Sequence, residues 1–367
     1  MLRIDRRLIA HFDWPLLVCT LLVISCGLLT VFSATHSEAN PFSGLVLRQM
    51  MWTCAGLVAM LAALAFDYHW LERYGYFVYA AALVLLVLTP LIGASGGGAR
   101  RWIAIGPFTI QPSEFAKIPV LVAVAAYIHR EVGDEPMPTH LLLGPALLIL
   151  PPALLIMKQP DLGTALTICG TTGILLLIAG VHRRLIIGGA TLLGIALPYV
   201  WHLLKDYQKQ RIWTFLDPQS DPLGSGYHII QSKIAIGSGM LFGKGYLHGT
   251  QTRLNFLPEQ HTDFIFAVFA EEWGFVGALV LLTLYAALLT RCFIVAVRAK
   301  DNFGLLLAAG LSVMIFLQVV VNMAMAMGAL PVVGITLPFF SYGGSSMLIS
   351  LIGIGLLMNI SMRRFTF

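Results

Sequence analysis

Ten long apolar runs limit what this chain can fold into: residues 15–34, 49–66, 75–93, 113–130, 141–157, 163–181, 185–203, 264–290, 304–328 and 343–361. A helix needs roughly 17–25 such residues to cross the hydrocarbon core, so each run is predicted to span a membrane. Composition agrees, since 58% of the 367 residues are hydrophobic and only 11% are charged, an imbalance that a soluble domain does not show. The expected fold class is an all-α polytopic membrane protein with about ten transmembrane helices. A long connection, about 204–262, separates spans seven and eight. The first run follows a basic stretch but lacks a small-residue cleavage pattern, so it reads as a retained helix. We expect residues 1–367 to form a single membrane domain.

An even number of spans places both termini on one side. On that side the short segments carry Arg3, Arg6, Arg7, Arg73, Arg130, Arg183, Arg184, Arg291, Arg298, Lys300, Arg363 and Arg364, against Arg48, Arg100, Arg101 and Lys158 opposite. An excess of Lys and Arg marks the cytoplasmic side, so both ends are expected inside and the 204–262 connection outside. The formal charge of +5 is then cytoplasmic anchoring and does not call for nucleic acid. Cys19, Cys26, Cys54, Cys169 and Cys292 lie in or beside the runs and suggest no disulfide framework. There is no H-E-x-x-H, nucleophile elbow or intact phosphate loop, which sets aside the familiar zinc, acyl-transfer and ATP chemistries. His248 and His261 are too far apart in sequence to read as a metal pair.

Three outward segments interrupt the apolar pattern. In "GASGGGARRWIAIGPFTIQPSEFAK", Gly93 to Lys117, the glycines predict a mobile loop leading to Arg100, Arg101, Glu114 and Lys117. Glu114 and Lys117 are three apart and share a helix face. They either neutralise each other against lipid or line a water-filled cavity. In "MKQPDLGTAL", Asp161 either caps the next helix or belongs to a site. The third, "YQKQRIWTFLDPQSDPLGSGYHIIQSKIAIGSG", contains Arg211 and a weakly amphipathic stretch around Ile229, Ile230, Lys233 and Ile234, expected along the membrane surface. Downstream, "LPEQHTDFIFAVFAEEWGFVG" sets Glu259 and Asp263 at the threshold of span eight. Glu271 and Glu272 follow about 12 Å further along the axis, near mid-bilayer, where at least one must pack inside the bundle.

The segments "QPSEFAK", "QPDLGTAL", "DPLGSGYHIIQSKIAIGSG", "GKGYLHGTQTRLNFLPEQHTDFIFAVFAEEWGFVG" and "LPVVGITLPFFSYGGSS" resemble, in order, the signatures of the SEDS family (shape, elongation, division and sporulation proteins). The resemblance spans nearly the whole chain and is closer to RodA, the elongation branch, than to FtsW, the division branch. It implies a multi-pass peptidoglycan glycosyltransferase of the bacterial inner membrane. Such an enzyme polymerises lipid II into β-1,4 glycan strands on the periplasmic face, during elongation and rod-shape maintenance.

By the same resemblance Asp263 matches the essential aspartate and is the expected base. Arg101, Lys117 and Arg211, with Arg48 and Lys233 behind them, are the expected cations for the undecaprenyl pyrophosphate. Glu114 would orient Lys117, and Asp161 would shape the cavity. No cofactor is fixed by the pattern; a divalent cation, magnesium or manganese, is compatible with these carboxylates. Expected partners are lipid II, the undecaprenyl-pyrophosphate-linked glycan, membrane lipids, a class B penicillin-binding protein acting as transpeptidase, and elongation factors of the MreC and MreD type. A lipid II flippase or transporter is the alternative from another class, and the division (FtsW-like) member is the alternative within the family. The Pro- and Gly-rich "GALPVVGITLPFFSYGG" suits either a re-entrant segment or a static kink.

Overall fold

The computed structural model describes residues 12–36, 43–96, 99–106, 108–133, 137–181, 183–203, 206–221, 224–254, 256–257 and 259–364. Helices occupy all ten apolar runs: α1 Trp14–Thr35, α2 Gly44–Ala65, α3 His69–Ile92, α4 Pro112–Glu131, α5 Leu143–Lys158, α6 Leu162–Ile178 and α7 Arg183–Leu203. After an intervening region come α11 Ile265–Val297, α12 Asn302–Ala326 and α13 Gly344–Arg363. Seven of the ten are long and apolar enough to cross a membrane by themselves, α5 with the 3-10 turn before it. Of the other three, α4 carries Glu114 and Lys117 and α6 has 17 residues. The bundle is held by α13 against α2, α4 against α3, and α11 against both α1 and α12.

Acids start several helices where the sequence places Asp before an apolar run. Asp13 accepts from Leu16 N at 3.1 Å, Asp161 from Thr164 N at 3.2 Å and Asp301 from Gly304 N at 2.7 Å. Each satisfies an amide that the first helical turn cannot. At the same end of the molecule as Asp13, Arg291 forks onto its carboxylate at 2.8 and 3.0 Å, and Arg363 reaches Asp67 at 3.1 Å.

Two expectations for the loops change. The glycine-rich stretch before α4 is not simply a loop; it folds as a three-stranded antiparallel sheet, β1 Ala94–Gly96, β2 Ala99–Ile105 and β3 Phe108–Ile110. The chain is therefore helical with one small sheet. The connection after α7 forms α8 Asp206–Leu216, α9 Ser225–Ser238 and the single turn α10 Thr250–Arg253. The amphipathic α9 docks on protein: Ile229, Ser232 and Ala235 are buried against α11 and α12, while Lys233 and Ile234 face outward.

The long α11 is broken at Gly274, whose φ of 66° and ψ of −164° are non-helical. The amides freed there are taken up by a turn-rich passage from the preceding connection, in which Met240, Gly243 and Gly245 have positive φ. Phe275 N donates to Met240 O at 2.8 Å and Val276 N to Leu241 O at 3.0 Å, while Lys244 N and Gly245 N donate to Glu271 O and Glu272 O at 3.0 Å. Phe275 to Val297 alone rises about 34 Å, already enough for the hydrocarbon core. Glu271 and Glu272, before the break, therefore belong near a boundary of the hydrocarbon core and not at mid-bilayer. Both are buried. Glu271 accepts from Lys244 Nζ at 2.7 Å, Thr250 N at 2.8 Å and Gln251 N at 3.1 Å, and Glu272 from the Ser33 hydroxyl.

Candidate active site

A cavity of about 630 Å³ opens at the end of the bundle where α11 begins. Its wall comes from α2, the sheet, α4, α6, α8, the lead into α11 and the irregular passage between α12 and α13. That passage, "GALPVVGITLPFFSYGG", packs inside the protein with Leu337, Phe339 and Phe340 buried. Its backbone finds partners: Asn322 Nδ2 donates to Ile335 O at 2.7 Å, Tyr285 OH to Pro338 O at 2.6 Å and Gln49 Nε2 to Ser341 O at 3.1 Å. Non-helical backbone is tolerated at membrane depth when it is satisfied in this way.

Asp263 sits one residue ahead of the α11 N-cap, Phe264. Its main-chain carbonyl is fixed by Asn322 Nδ2 at 3.0 Å, while its carboxylate accepts no hydrogen bond from the described residues. Burial, reinforced by the neighbouring Glu259 carboxylate and by Asp161, pushes its pKa up to about 6, and Arg211 pulls the other way. Glu259 holds a left-handed backbone at φ 50°, pinned by Thr262, whose N donates to Glu259 O at 3.1 Å and whose hydroxyl donates to Glu259 Oε2 at 3.1 Å. The outcome is a carboxylate that keeps its lone pairs available and binds a proton well above the usual carboxylate range.

Arg101 reaches the cavity through a bulge. β2 pairs Ala94 with Trp102 and Ser95 with Arg100, leaving Arg101 as the extra residue, the arrangement by which a bulge re-aims side chains. Adjacent strand residues normally face opposite sides, yet Arg101 and Trp102 both line the cavity. Arg101 Nε is buried and finds no acceptor among the described residues. Arg211, on α8, completes the cationic lining.

Asp161 both caps α6 and lines the cavity, and its Oδ2 accepts from Ser113 Oγ at 2.6 Å and Gln111 Nε2 at 2.9 Å. Glu114 faces the cavity with Lys117 one turn behind it, their charged groups 2.7 Å apart. Lys117 is buried and lines only a smaller hollow deeper in the bundle. The remaining two candidates are placed elsewhere. Arg48 is exposed on α2, and Lys233 lies on α9 across Gly328, a Cβ on which would sit 2.8 Å from Lys233 Nζ; neither lines the cavity.

The sequence reading missed Trp52, Trp102, Tyr342, Thr336, Ser345 and Ser346, all in the wall. Gly344 is the reason Trp52 fits, since a Cβ there would come 2.2 Å from the indole. The hydroxyls are anchored: Gln111 N donates to Ser345 Oγ at 2.9 Å, and Thr336 and Ser346 share a hydrogen bond of 2.8 Å. The signal for the two serines was present only in the "SYGGSS" stretch that leads into α13. Among the described residues no trio of His, Cys, Asp or Glu is placed to hold a metal ion.

The family described as cell cycle protein, which joins FtsW, RodA and SpoVE, matches residues 13–365. The chain belongs to that family. This FtsW/RodA/SpoVE-family chain is 44% identical over 356 residues to the peptidoglycan glycosyltransferase MrdB of Escherichia coli K12, covering 96% of this chain and 94% of that one. It is 38% identical to the stage V sporulation protein E of Bacillus subtilis, with 95% and 96% covered. Among solved structures, a chain from a peptidoglycan synthase complex that coordinates polymerisation and crosslinking superposes with a TM-score of 0.83 at 33% identity, covering 97% of this chain and 99% of that one. The crystal structure of Thermus thermophilus RodA gives 0.72 at 32% identity, with 97% and 98% covered. The SEDS signatures thus belong to a multi-pass membrane member of this family.

Proposed function

We propose that the protein is a peptidoglycan glycosyltransferase of the elongation type, polymerising lipid II into β-1,4 glycan at the cavity around Asp263. The observation that carries this reading is a carboxylate whose pKa is pushed up to about 6, that accepts no hydrogen bond from the described residues and that shares one cavity with Arg101 and Arg211. Asp263 takes the proton from the acceptor sugar hydroxyl, whose oxygen attacks the anomeric carbon of the donor. The bond from that carbon to the pyrophosphate oxygen breaks, and the pyrophosphate leaves with the electron pair. A leaving group already stable as an anion needs cations more than an acid, which Arg101 and Arg211 supply. A single displacement inverts the anomeric centre, with no second nucleophilic carboxylate required. Lys117, paired to Glu114, adds positive charge behind that wall. Trp52, Trp102 and Tyr342 offer apolar faces to the sugar rings.

Asp263, with the neighbouring Glu259 and Asp161 adding negative charge around it, would hold a divalent cation if one binds, and the cation's positive charge would assist the departing pyrophosphate. The whole chain acts as one membrane domain in a bacterial inner membrane, with both termini cytoplasmic and the cavity periplasmic, in line with the Lys and Arg asymmetry. A crosslinking transpeptidase of class B is the proposed partner, supported by the likeness to a chain from a synthase complex. MreC- and MreD-type factors are proposed from the elongation reading. The test is incubation of purified protein, with and without the transpeptidase, with labelled lipid II. A glycan ladder that Asp263→Ala abolishes is expected. Lipid II crossing a reconstituted bilayer with no ladder would instead make the protein a flippase.

A further inference from the structure

A second hollow of about 200 Å³ adjoins the cavity, between α6 and the C-terminal half of α12. Leu166, Leu317, Val321, Leu330 and Val333 give it an apolar wall, and the one hydroxyl there, Thr167, is already bonded to Gly163 O at 2.9 Å. Val333 lines both spaces. The next residue is Gly334, where a Cβ would stand 3.6 Å from Asp263 Oδ2. The apolar hollow thus begins one residue from the catalytic carboxylate. Two glycines on α6 shape it. At Gly163 a Cβ would meet Val333 O at 2.7 Å, so only glycine lets the passage lie this close to the helix. Gly170 leaves the floor empty beneath Leu317, whose methyl would be 3.1 Å from a Cβ there. The rim is accessible: Leu166, on α6, is 51% exposed, and Leu330, in the passage that follows α12, is 36% exposed.

We propose that this groove takes the first units of the prenyl chain attached to the substrate's pyrophosphate. This rests on the glycosyltransferase reading. A pyrophosphate held by Arg101 and Arg211 sits in a polar cavity, but its next bond leads to hydrocarbon, which must leave by an apolar route. The groove supplies that route from the polar cavity to the lipid-facing surface, with no unsatisfied polar group in its lining among the described residues. A chain seated there sets the depth of the head group, and so the distance of the anomeric carbon from Asp263.

Binding of farnesyl pyrophosphate and of inorganic pyrophosphate to the full-length protein in nanodiscs tests this, using wild type, Val321→Trp and Leu166→Trp. Either indole fills the groove from its wall or rim, and two variants guard against one that misfolds. The expected result is that wild type prefers farnesyl pyrophosphate, and that each folded variant loses about tenfold of that affinity while binding pyrophosphate unchanged. Variants that keep the full preference would overturn the proposal. So would loss of the preference when phosphatidylglycerol is raised in the nanodisc, which would make the groove an ordinary lipid crevice. A wild type that keeps the preference yet makes no glycan from lipid II would sink the enzyme reading and leave the groove in place.

Discussion

At Asp263 the consequences of enclosure can be read in opposite directions by two measurements. A base must be unprotonated, so turnover should rise as pH climbs through about 6 and fall away below it. Stability moves the other way. The folded pKa lies above the unfolded value of 3.8, so the native state favours the protonated acid, and the contribution is fully present below about 4 and lost as pH passes 6. Asp263→Asn should therefore be inactive yet more heat-stable than wild type at pH 8, by on the order of 1–2 kcal/mol, with the gap closing towards pH 4. Lys117 behaves differently because its partner is buried too. Lys117→Ala strands the Glu114 carboxylate and should cost roughly 3–5 kcal/mol in denaturation. Pairing Lys117→Met with Glu114→Gln should restore most of the stability without restoring turnover; recovery of both would make the pair purely structural. Charge was what made these residues legible in the sequence, since an ionisable group beside an apolar run is conspicuous. Direction was not legible, which is why Arg48 and Lys233 stood among the expected cations, behind Arg101, although neither lines the cavity. Trp52 and Tyr342 escaped because aromatic residues in a membrane chain usually mean packing or an interfacial belt.

At the scale of elements, the helices were readable because apolar length is nearly sufficient to define a spanning segment. The sheet before α4 was not. Its glycines signal a turn, but pairing of Ile103 with Ile110 and Ala104 with Thr109 depends on strands only seven residues long or shorter. The break in α11 was equally hidden, because a glycine inside an apolar run ordinarily costs a helix little. Here its φ is positive, and a Cβ would stand 2.3 Å from Gly243 N. Gly274→Ala should therefore lower stability by on the order of 3 kcal/mol in thermal melts, well beyond the effect of an exposed glycine. An unchanged melting point would mean the passage at 239–245 does not clasp α11. Lys244→Ala should loosen the same clasp by removing the 2.7 Å Lys244–Glu271 ion pair, and protease nicking around Lys244 should report it.

For the whole molecule, the arrangement of cations in sequence predicts sidedness that can be measured directly. On a background with the native cysteines replaced, a cysteine at Trp102 should react with a membrane-impermeant maleimide in intact cells. One at Arg298 should react only after lysis. Reversal of the two would invert the topology and place the cavity in the cytoplasm. The sequence could not show that the cavity wall is assembled from both ends of the chain. Gln49 on α2 bonds Ser341 O and accepts from Gly343 N, Gln111 N meets Ser345, and Ser341 Oγ donates to Thr262 O at 2.7 Å. Contacts separated by 79 to 294 positions have no local signature. They also bear on biogenesis. The passage at 341–343 and the start of α13 supply the seam that joins α2, α4 and the Asp263 turn, so a nascent chain still on the ribosome, short of Ser345, holds Asp263 but no closed cavity around it. Polymerising activity should switch on only once the chain through Ser345 has been made and inserted, and a cell that stalls translation before that point would accumulate an inert membrane bundle instead of an unregulated polymerase.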